Sequence, residues 1–260
     1  MLKQNKKAII LFGGLGKLGI YFVQNSTFDY SRYDLLILDK VNKNEINCLP
    51  ENVIYYKCDI TDESSLKSSL NNLSHSYKDL TLVNFIGYDF PVGESEKIIS
   101  RKTPLEVSEK ELGKCLLLNI STSHNIAKCA LKTGKSFHLI FISSVYANKP
   151  TNPELYSEKE LLDKKYKPYI YGSSKAAIEK LANDLSVFLP KYESRINVIS
   201  LGGVDLGISP EFVEKYSKWS PQGSMIKPSS VTKLLNWLIL DSPLELNGCV
   251  IKLDSGLSNL

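Results

Sequence analysis

Seven strand-length apolar runs alternate with helix-length amphipathic stretches along this chain, and that alternation leaves few architectures open. The runs are residues 8–12, 35–38, 53–57, 80–86, 137–142, 196–200 and 249–253. Helical patterns lie at about 17–25, from the start Thr61-Asp62-Glu63-Ser64 onward, and at 108–131, 171–189 and 231–240. In residues 171–189, Ala177, Ile178, Leu181, Leu185 and Phe188 fall on one helical face. Strands that are apolar throughout need cover on both faces, and their alternation with helices implies parallel pairing. The expected fold is α/β: a doubly wound parallel sheet of about seven strands, with helices on both faces in a three-layer αβα sandwich. No internal repeat or Gly/Ser linker divides residues 1–260, which read as one domain.

Composition removes several function classes. The formal net charge is +4, and the basic residues include only three Arg: Arg32, Arg101 and Arg195. Nucleic-acid readers use Arg forks and clustered positive charge, so no nucleic-acid partner is expected. The five Cys (Cys48, Cys58, Cys115, Cys129 and Cys249) form no CxxC, and an odd count argues against a disulfide framework. They read as buried thiols in a reducing cytoplasm. His75, His124 and His138 show no metal-ligand spacing, so no metal is expected. The apolar run 8–12 is too short for a signal-peptide core or a membrane span. A cytoplasmic protein without a membrane partner is therefore expected.

Two segments break the alternation. Residues 151–167 are polar and Lys/Glu-rich, between a strand and a helix; a solvated decorative loop is the plain alternative to a functional insertion there. Residues 205–227 hold Pro210, Pro221, Gly223 and a short helical piece at 211–218. Long insertions in compact domains often serve as lids, and 205–227 is expected to close over a substrate.

The sharpest local signal is Gly13-Gly14-Leu15-Gly16-Lys17-Leu18-Gly19, between the first strand and the first helix. Glycines there permit a tight turn and a close approach of backbone to a diphosphate, and the helix N-terminus adds N–H donors and partial positive charge. Gly13, Gly16, Lys17, Leu18 and Gly19 are the candidate phosphate cradle of a Rossmann-type site. Asp39 closes the second strand 26 residues after Gly13, where a carboxylate can accept the ribose hydroxyls of NAD. It would repel the extra phosphate of NADP. Lys17 and Lys40 can offset that repulsion, so NAD is the expected cofactor and NADP stays open.

These features, together with Tyr171-Gly-Ser-Ser-Lys175, resemble the short-chain dehydrogenase/reductase family over about residues 7–257. Residues 12–19 look like the family's glycine-rich motif, and Cys58-Asp59-Ile60-Thr61-Asp62 like its adenine-contacting segment, with Asp59 and Ile60 the implied contacts. Asn84-Phe85-Ile86-Gly87 resembles the Asn-Ala-Gly motif that steadies the central sheet and places Asn84 and Gly87 near the cofactor. Asn119 matches the asparagine of the long fourth helix. Ile142-Ser143-Ser144 matches the serine motif, with Ser144 the expected catalytic member. Leu201-Gly202-Gly203-Val204 is similar to the segment flanking the nicotinamide, so Gly202 and Val204 join the cofactor set. Residues 247–256 resemble the closing strand. With 14 Tyr and abundant Lys, a bare Tyr-x-x-x-Lys arises by chance. The weight comes from the order of the motifs and the elements that carry them.

The chain also departs from the family pattern. Phe12 stands in place of the usual Thr, Lys17 in place of a frequent Gly, and Leu201 in place of Pro. The resulting G-x-x-G-x-x-G and the 27-residue gap from Ser144 to Tyr171 resemble the nucleotide-sugar branch, whereas the chain length and closing strand fit the short branch.

A free phenol, with pKa near 10, is a poor base at neutral pH. A nearby cation favours its phenolate, and Lys175 at i+4 shares a helical face with Tyr171. The implied catalytic set is Tyr171 as general acid/base, Lys175 as its tuner and a ribose ligand, Ser144 as hydrogen-bond donor to the substrate oxygen, and Asn119 as the support of a water relay. The expected activity is NAD(P)-dependent interconversion of a secondary alcohol and a ketone. A sugar or nucleotide-linked sugar is the favoured small-molecule substrate, with a 3-oxoacyl thioester or another small ketone as alternative. A sugar epimerase or dehydratase and a non-catalytic dinucleotide-binding protein also stay open. The resemblance implies a homodimer or homotetramer paired through the helices at 108–131 and 171–189.

Overall fold

The computed structural model describes residues 6–42, 49–90, 105–156 and 167–260. Cys48, Pro91, Arg101, Pro104 and residues 157–166 of the polar insertion lie outside the described residues. The strands are β1 (Lys7–Phe12), β2 (Tyr33–Asp39), β3 (Val53–Lys57), β4 (Leu80–Asn84), β5 (Phe137–Ser144), β6 (Arg195–Leu201) and β7 (Val250–Leu253). They form one seven-stranded sheet in the order β3-β2-β1-β4-β5-β6-β7, with every pairing parallel. This is the doubly wound Rossmann-type sheet that the alternation predicts. Strand order reverses between β1 and β4, so the crossovers diverge there and open a crevice at the carboxyl ends of the strands. Phe12 stands level with Leu38 and Asn84 at that edge, and Ser144 level with Leu201.

The helices are α1 (Lys17–Asn25), α2 (Glu63–Ser74), α3 (Glu109–Leu116), α4 (Thr122–Lys132), α5 (Tyr169–Phe188), α6 (Pro210–Trp219) and α7 (Pro228–Leu240). Their starts follow local chemistry. The Asp62 carboxylate accepts from the Ser64 amide, and Ser108 forms a capping box with Glu111. Pro210 occupies the first turn of α6 behind the Ser209 cap, so that helix begins one residue before the sequence expectation. The pattern at 108–131 is not one α-helix: a π-helical turn, Leu117–Ser121, lies between α3 and α4. The turn carries the buried polar Asn119, and a count of apolar positions does not register it.

Period-two alternation along β1 sends its side chains into two cores. Ala8, Ile10 and Phe12 pack with residues of α2, α4 and α5, while Ile9 and Leu11 pack with residues of α1 and α7. Each fully buried aliphatic side chain contributes about 2 kcal/mol. Both faces of the central strands are so filled that the sheet needs no covalent staple, and Cys58, Cys115, Cys129 and Cys249 are all free thiols. A smaller cluster at the carboxyl edge joins Val145, Leu155 and Tyr156 to Tyr216 of α6, Met225 and Leu257. Among the described residues, no helix is long and apolar enough to cross a membrane, and no three His, Cys, Asp or Glu side chains are grouped to hold a metal.

Candidate active site

The glycine turn lies at the carboxyl end of β1, beside the crevice. Gly13 has φ +67°, and a Cβ there would sit 2.7 Å from Ile86 Cγ1. At Gly19 a Cβ would meet the Gly14 carbonyl oxygen at 2.5 Å, so this glycine lets α1 lie against the turn. Gly16 differs: a Cβ there would meet nothing nearer than the Gly13 oxygen at 3.5 Å. The protein's own packing leaves that space open. Gly16 caps α1 without a side-chain hydrogen bond, and the first turn of α1 carries no acidic residue. The first turn of α1 therefore carries no negative charge of its own, and Gly16 and Lys17 stand exposed there. An open backbone cradle at a helix N-terminus fits the diphosphate of a dinucleotide. Leu18 is half-buried beside it.

Asp39 stands at the end of β2. Its Oδ2 accepts from the Leu15 amide at 3.2 Å, and its Oδ1 accepts from the Val41 amide at 3.4 Å. The carboxylate is thereby fixed to the glycine turn, and each oxygen retains a further lone pair for a hydroxyl. Asp59 is exposed and accepts from the Thr61 amide and hydroxyl at 3.0 and 2.7 Å, which hold its carboxyl below its usual range. The Ile60 side chain is committed to the core. Gly202 and Gly203 press against Tyr216, whose hydroxyl accepts from the Gly203 amide at 2.5 Å. Val204 bridges to Ile226. The segment after β6 is thus tied to both ends of the 205–227 insertion.

The second group of expected residues converges at the ends of β4 and β5. Asn84 donates to Ser123 Oγ at 3.1 Å, and Ser123 Oγ donates to the Asn119 carbonyl at 2.9 Å. Asn84 Oδ1 also accepts from the Ile86 amide, which ends β4 two residues before the expected boundary. Asn119 lies in the π-helical turn, fully buried. Its Oδ1 accepts from the Tyr88 amide at 2.7 Å, and its Nδ2 donates to Ser174 Oγ at 2.7 Å. The Asn119 side chain therefore ties the β4 exit to α5. Gly87 lies against the same cluster: a Cβ there would be 3.3 Å from Lys175 Nζ and 3.4 Å from Asn119 Oδ1.

The two adjacent serines diverge. Ser143 Oγ donates to Glu179 Oε1 at 2.7 Å, on the flank of α5. Ser144 Oγ accepts from the Tyr146 amide at 3.3 Å, and the Ser144 hydroxyl is near enough to the Tyr171 phenol to favour its ionised form. Tyr171 and Lys175 sit one turn apart on α5, both buried. Lys175 Nζ donates to the Ile142 carbonyl at 3.0 Å and lies 5.8 Å from the Tyr171 ring centroid. Burial pushes the Lys175 amine down to about 8, with Lys167 adding to the fall and Asp89 opposing it. Burial likewise pushes the Tyr171 phenol up to about 12, against the downward pull of Lys167 and Ser144.

Sequence reasoning missed part of this constellation. Lys167, the last residue of the polar insertion, sits 4.2 Å from the Tyr171 ring centroid and forms an ion pair with Asp89. Tyr146 meets the Tyr171 ring edge-on, with centroids 6.3 Å apart. Phe90 and Cys115 pack with Tyr171, and Tyr88 lines the same cluster. The one available signal was that Lys167 precedes Tyr171 by the spacing at which Lys175 follows it, and it was lost among the other lysines of a charged segment.

A family model described as enoyl-(acyl carrier protein) reductase matches residues 38–258. The chain is 23% identical over 264 aligned residues to a "Post-translational flagellin modification protein A" of Campylobacter coli, covering 96% of this chain and 97% of that one. A short-chain dehydrogenase from Leptospira borgpetersenii, solved with bound NAD+, superposes with a TM-score of 0.77 at 19% identity, over 98% of this chain and 94% of that one. ElxO, solved with NADP bound, superposes with a TM-score of 0.73 at 20% identity, over 99% of this chain and all of that one.

Proposed function

The chain belongs to the short-chain dehydrogenase/reductase family, and from that premise we propose that it interconverts a secondary alcohol and a ketone with a nicotinamide dinucleotide. The observation that carries the reading is the convergence of the Ser144 hydroxyl, the Tyr171 phenol and the Lys175 amine at the carboxyl end of β5, in the same sheet whose β1 ends in the open glycine turn. In this reading the diphosphate rests on the backbone of residues 13–19 and Asp39 accepts the ribose hydroxyls. Gly87, Gly202 and Val204 flank the nicotinamide, Asp59 and Ile60 the adenine.

A nicotinamide dinucleotide held there would supply or accept the hydride. Tyr171 delivers its phenolic proton to the substrate oxygen in reduction and removes it in oxidation. Ser144 donates a hydrogen bond to the same oxygen, where charge develops in the transition state. Lys175 is held by the Ile142 carbonyl 5.8 Å from the Tyr171 ring centroid, and in this reading its charge favours the phenolate. Asn119 positions the group by binding Ser174, one residue before Lys175, to the Tyr88 backbone. Residues 205–227 close the groove from the side of β6.

For substrate, a sugar or nucleotide-linked sugar is favoured. The G-x-x-G-x-x-G turn and the long Ser144–Tyr171 interval support it, and so does a full-length relative named for flagellin modification. The second reading, reduction of the ketone of a 3-oxoacyl thioester or another small ketone, draws support from the acyl-carrier class named in the description of the matching family model. Assays of NAD(P)H oxidation against a panel of keto-sugars, nucleotide-linked keto-sugars and 3-oxoacyl thioesters separate the two. Turnover of the acyl ketones with no sugar turned over would reverse the ranking.

A further inference from the structure

Tyr171 lies between two lysines, and the first of them has no part in the mechanism above. Lys167 precedes α5, approaches from the end of the polar insertion and places its ammonium over the Tyr171 ring, 4.2 Å from the centroid, nearer than the 5.8 Å of Lys175. The same ammonium lies 5.4 Å from the Tyr146 ring centroid. Its counter-ion is Asp89, which follows β4 and is two-thirds exposed while Lys167 is largely buried. The Lys167 amide also approaches the Tyr156 hydroxyl at 3.4 Å, fixing the chain where it enters the cluster.

We propose that Lys167 and Asp89 are positioning residues that set the acidity of Tyr171 from opposite directions, the lysine favouring the phenolate and the aspartate opposing it. This rests on the reading of Tyr171 as the acid/base. A phenolate ring carries more negative charge than a phenol ring, so a cation over its face stabilises the ionised form more than the neutral one. Asp89 acts twice. Its own charge repels the phenolate, and its pairing with Lys167 cancels part of the field that reaches the ring. Burial works against the Lys167 charge, but Asp89 and the Tyr171 and Tyr146 phenols more than offset it and hold the ammonium above the usual lysine range. Lys167 therefore stays charged throughout the working pH range. Lys175 faces Tyr171 from within α5, Cys115 from α3 and Tyr146 from the turn after β5, while Tyr216 of α6 feels the Lys167 charge. Burial pushes the Cys115 thiol up, so it stays neutral beside the phenol at neutral pH. The last residue of the 151–167 insertion thereby delivers a fixed cation to the proton-transfer site.

The proposal is tested by a titration of the Tyr171 phenol that needs no substrate. In protein labelled with ring-fluorinated tyrosine, whose phenols ionise at lower pH, the Tyr171 resonance is assigned with Tyr171→Phe and followed by fluorine NMR. Lys167→Met should move its midpoint up by about one pH unit and Asp89→Asn should move it down by about as much, with Lys167→Arg near wild type. Midpoints that stay in place, or that move in the same direction for Lys167→Met and Asp89→Asn, would overturn the proposal. Should Lys167→Met not fold, Lys167→Gln and Asp89→Asn carry the same opposed signs. Full activity in Tyr171→Phe would sink the acid/base reading instead, and the titration shifts would be unaffected by that failure.

Discussion

At the scale of single residues, the proposed site depends on charge placed at the carboxyl edge of the sheet. Asp39 is anchored by the Leu15 and Val41 amides, so its negative charge cannot swing away from the glycine turn. An added ribose phosphate would meet that charge at close range. Asp39→Ser should raise the affinity for NADP relative to NAD by about tenfold, on the order of 1–2 kcal/mol of relieved repulsion, measured by titration calorimetry with both cofactors. An unchanged ratio would show that Asp39 does not face the ribose. The two serines behave in a related way. Sequence alone could rank Ser144 above Ser143 only through a family resemblance, whereas the fold separates them physically: Ser143 is taken by Glu179, while Ser144 accepts from the Tyr146 amide and favours ionisation of Tyr171. The pairing of Lys167 with Asp89 was not legible, because it depends on how two loops 78 residues apart in sequence meet over one ring.

At the scale of elements, close packing fixes the site more firmly than hydrogen bonds do. A Cβ on Gly172 would lie 2.5 Å from the Tyr146 carbonyl oxygen, so α5 and the turn after β5 touch backbone to backbone. Gly172→Ala must therefore push that turn off the helix, and with it Ser144 and Tyr146. We predict a loss of about 1–3 kcal/mol in urea unfolding, with kcat falling further than cofactor affinity. A variant of wild-type stability and kcat would contradict this contact. The alternation of apolar runs announced every strand, because parallel strands buried on both faces carry a signal that survives without tertiary knowledge. Boundaries were set by side chains that the pattern ignores, such as Asn84 ending β4. The π-helical turn was also invisible to the pattern: it holds Asn119, whose buried carboxamide bonds Tyr88 and Ser174, groups far away in sequence.

At the scale of the whole molecule, one buried histidine couples the sheet to pH. His138 lies on β5, where Asn197 Nδ2 sits 3.0 Å from its Nε2. The Asn197 oxygen accepts from the Cys249 amide, so its nitrogen is the donor and the imidazole must accept as a neutral ring. Burial, with Arg195 adding to it, pushes the folded-state pKa of His138 down to about 3 from an ordinary 6.5. A depressed folded value means that the unfolded chain takes up the proton first as pH falls. The stability held by the neutral ring is fully present above about 6.5 and is lost as pH drops from there toward about 3. The slope reaches about 1.4 kcal/mol per pH unit. Urea unfolding in this window should show wild type losing stability faster than His138→Gln, whose amide accepts the same bond without a proton. Parallel curves would show that His138 does not couple the sheet to pH.

The account as a whole rests on proton transfer at one phenol beside a dinucleotide. The most direct measurement is the kcat/KM of Tyr171→Phe for NAD(P)H-linked reduction of the best substrate in the panel, with cofactor binding measured on the same preparation. The predicted result is a loss of about 100- to 10,000-fold with cofactor affinity retained. Turnover at the wild-type rate would contradict it.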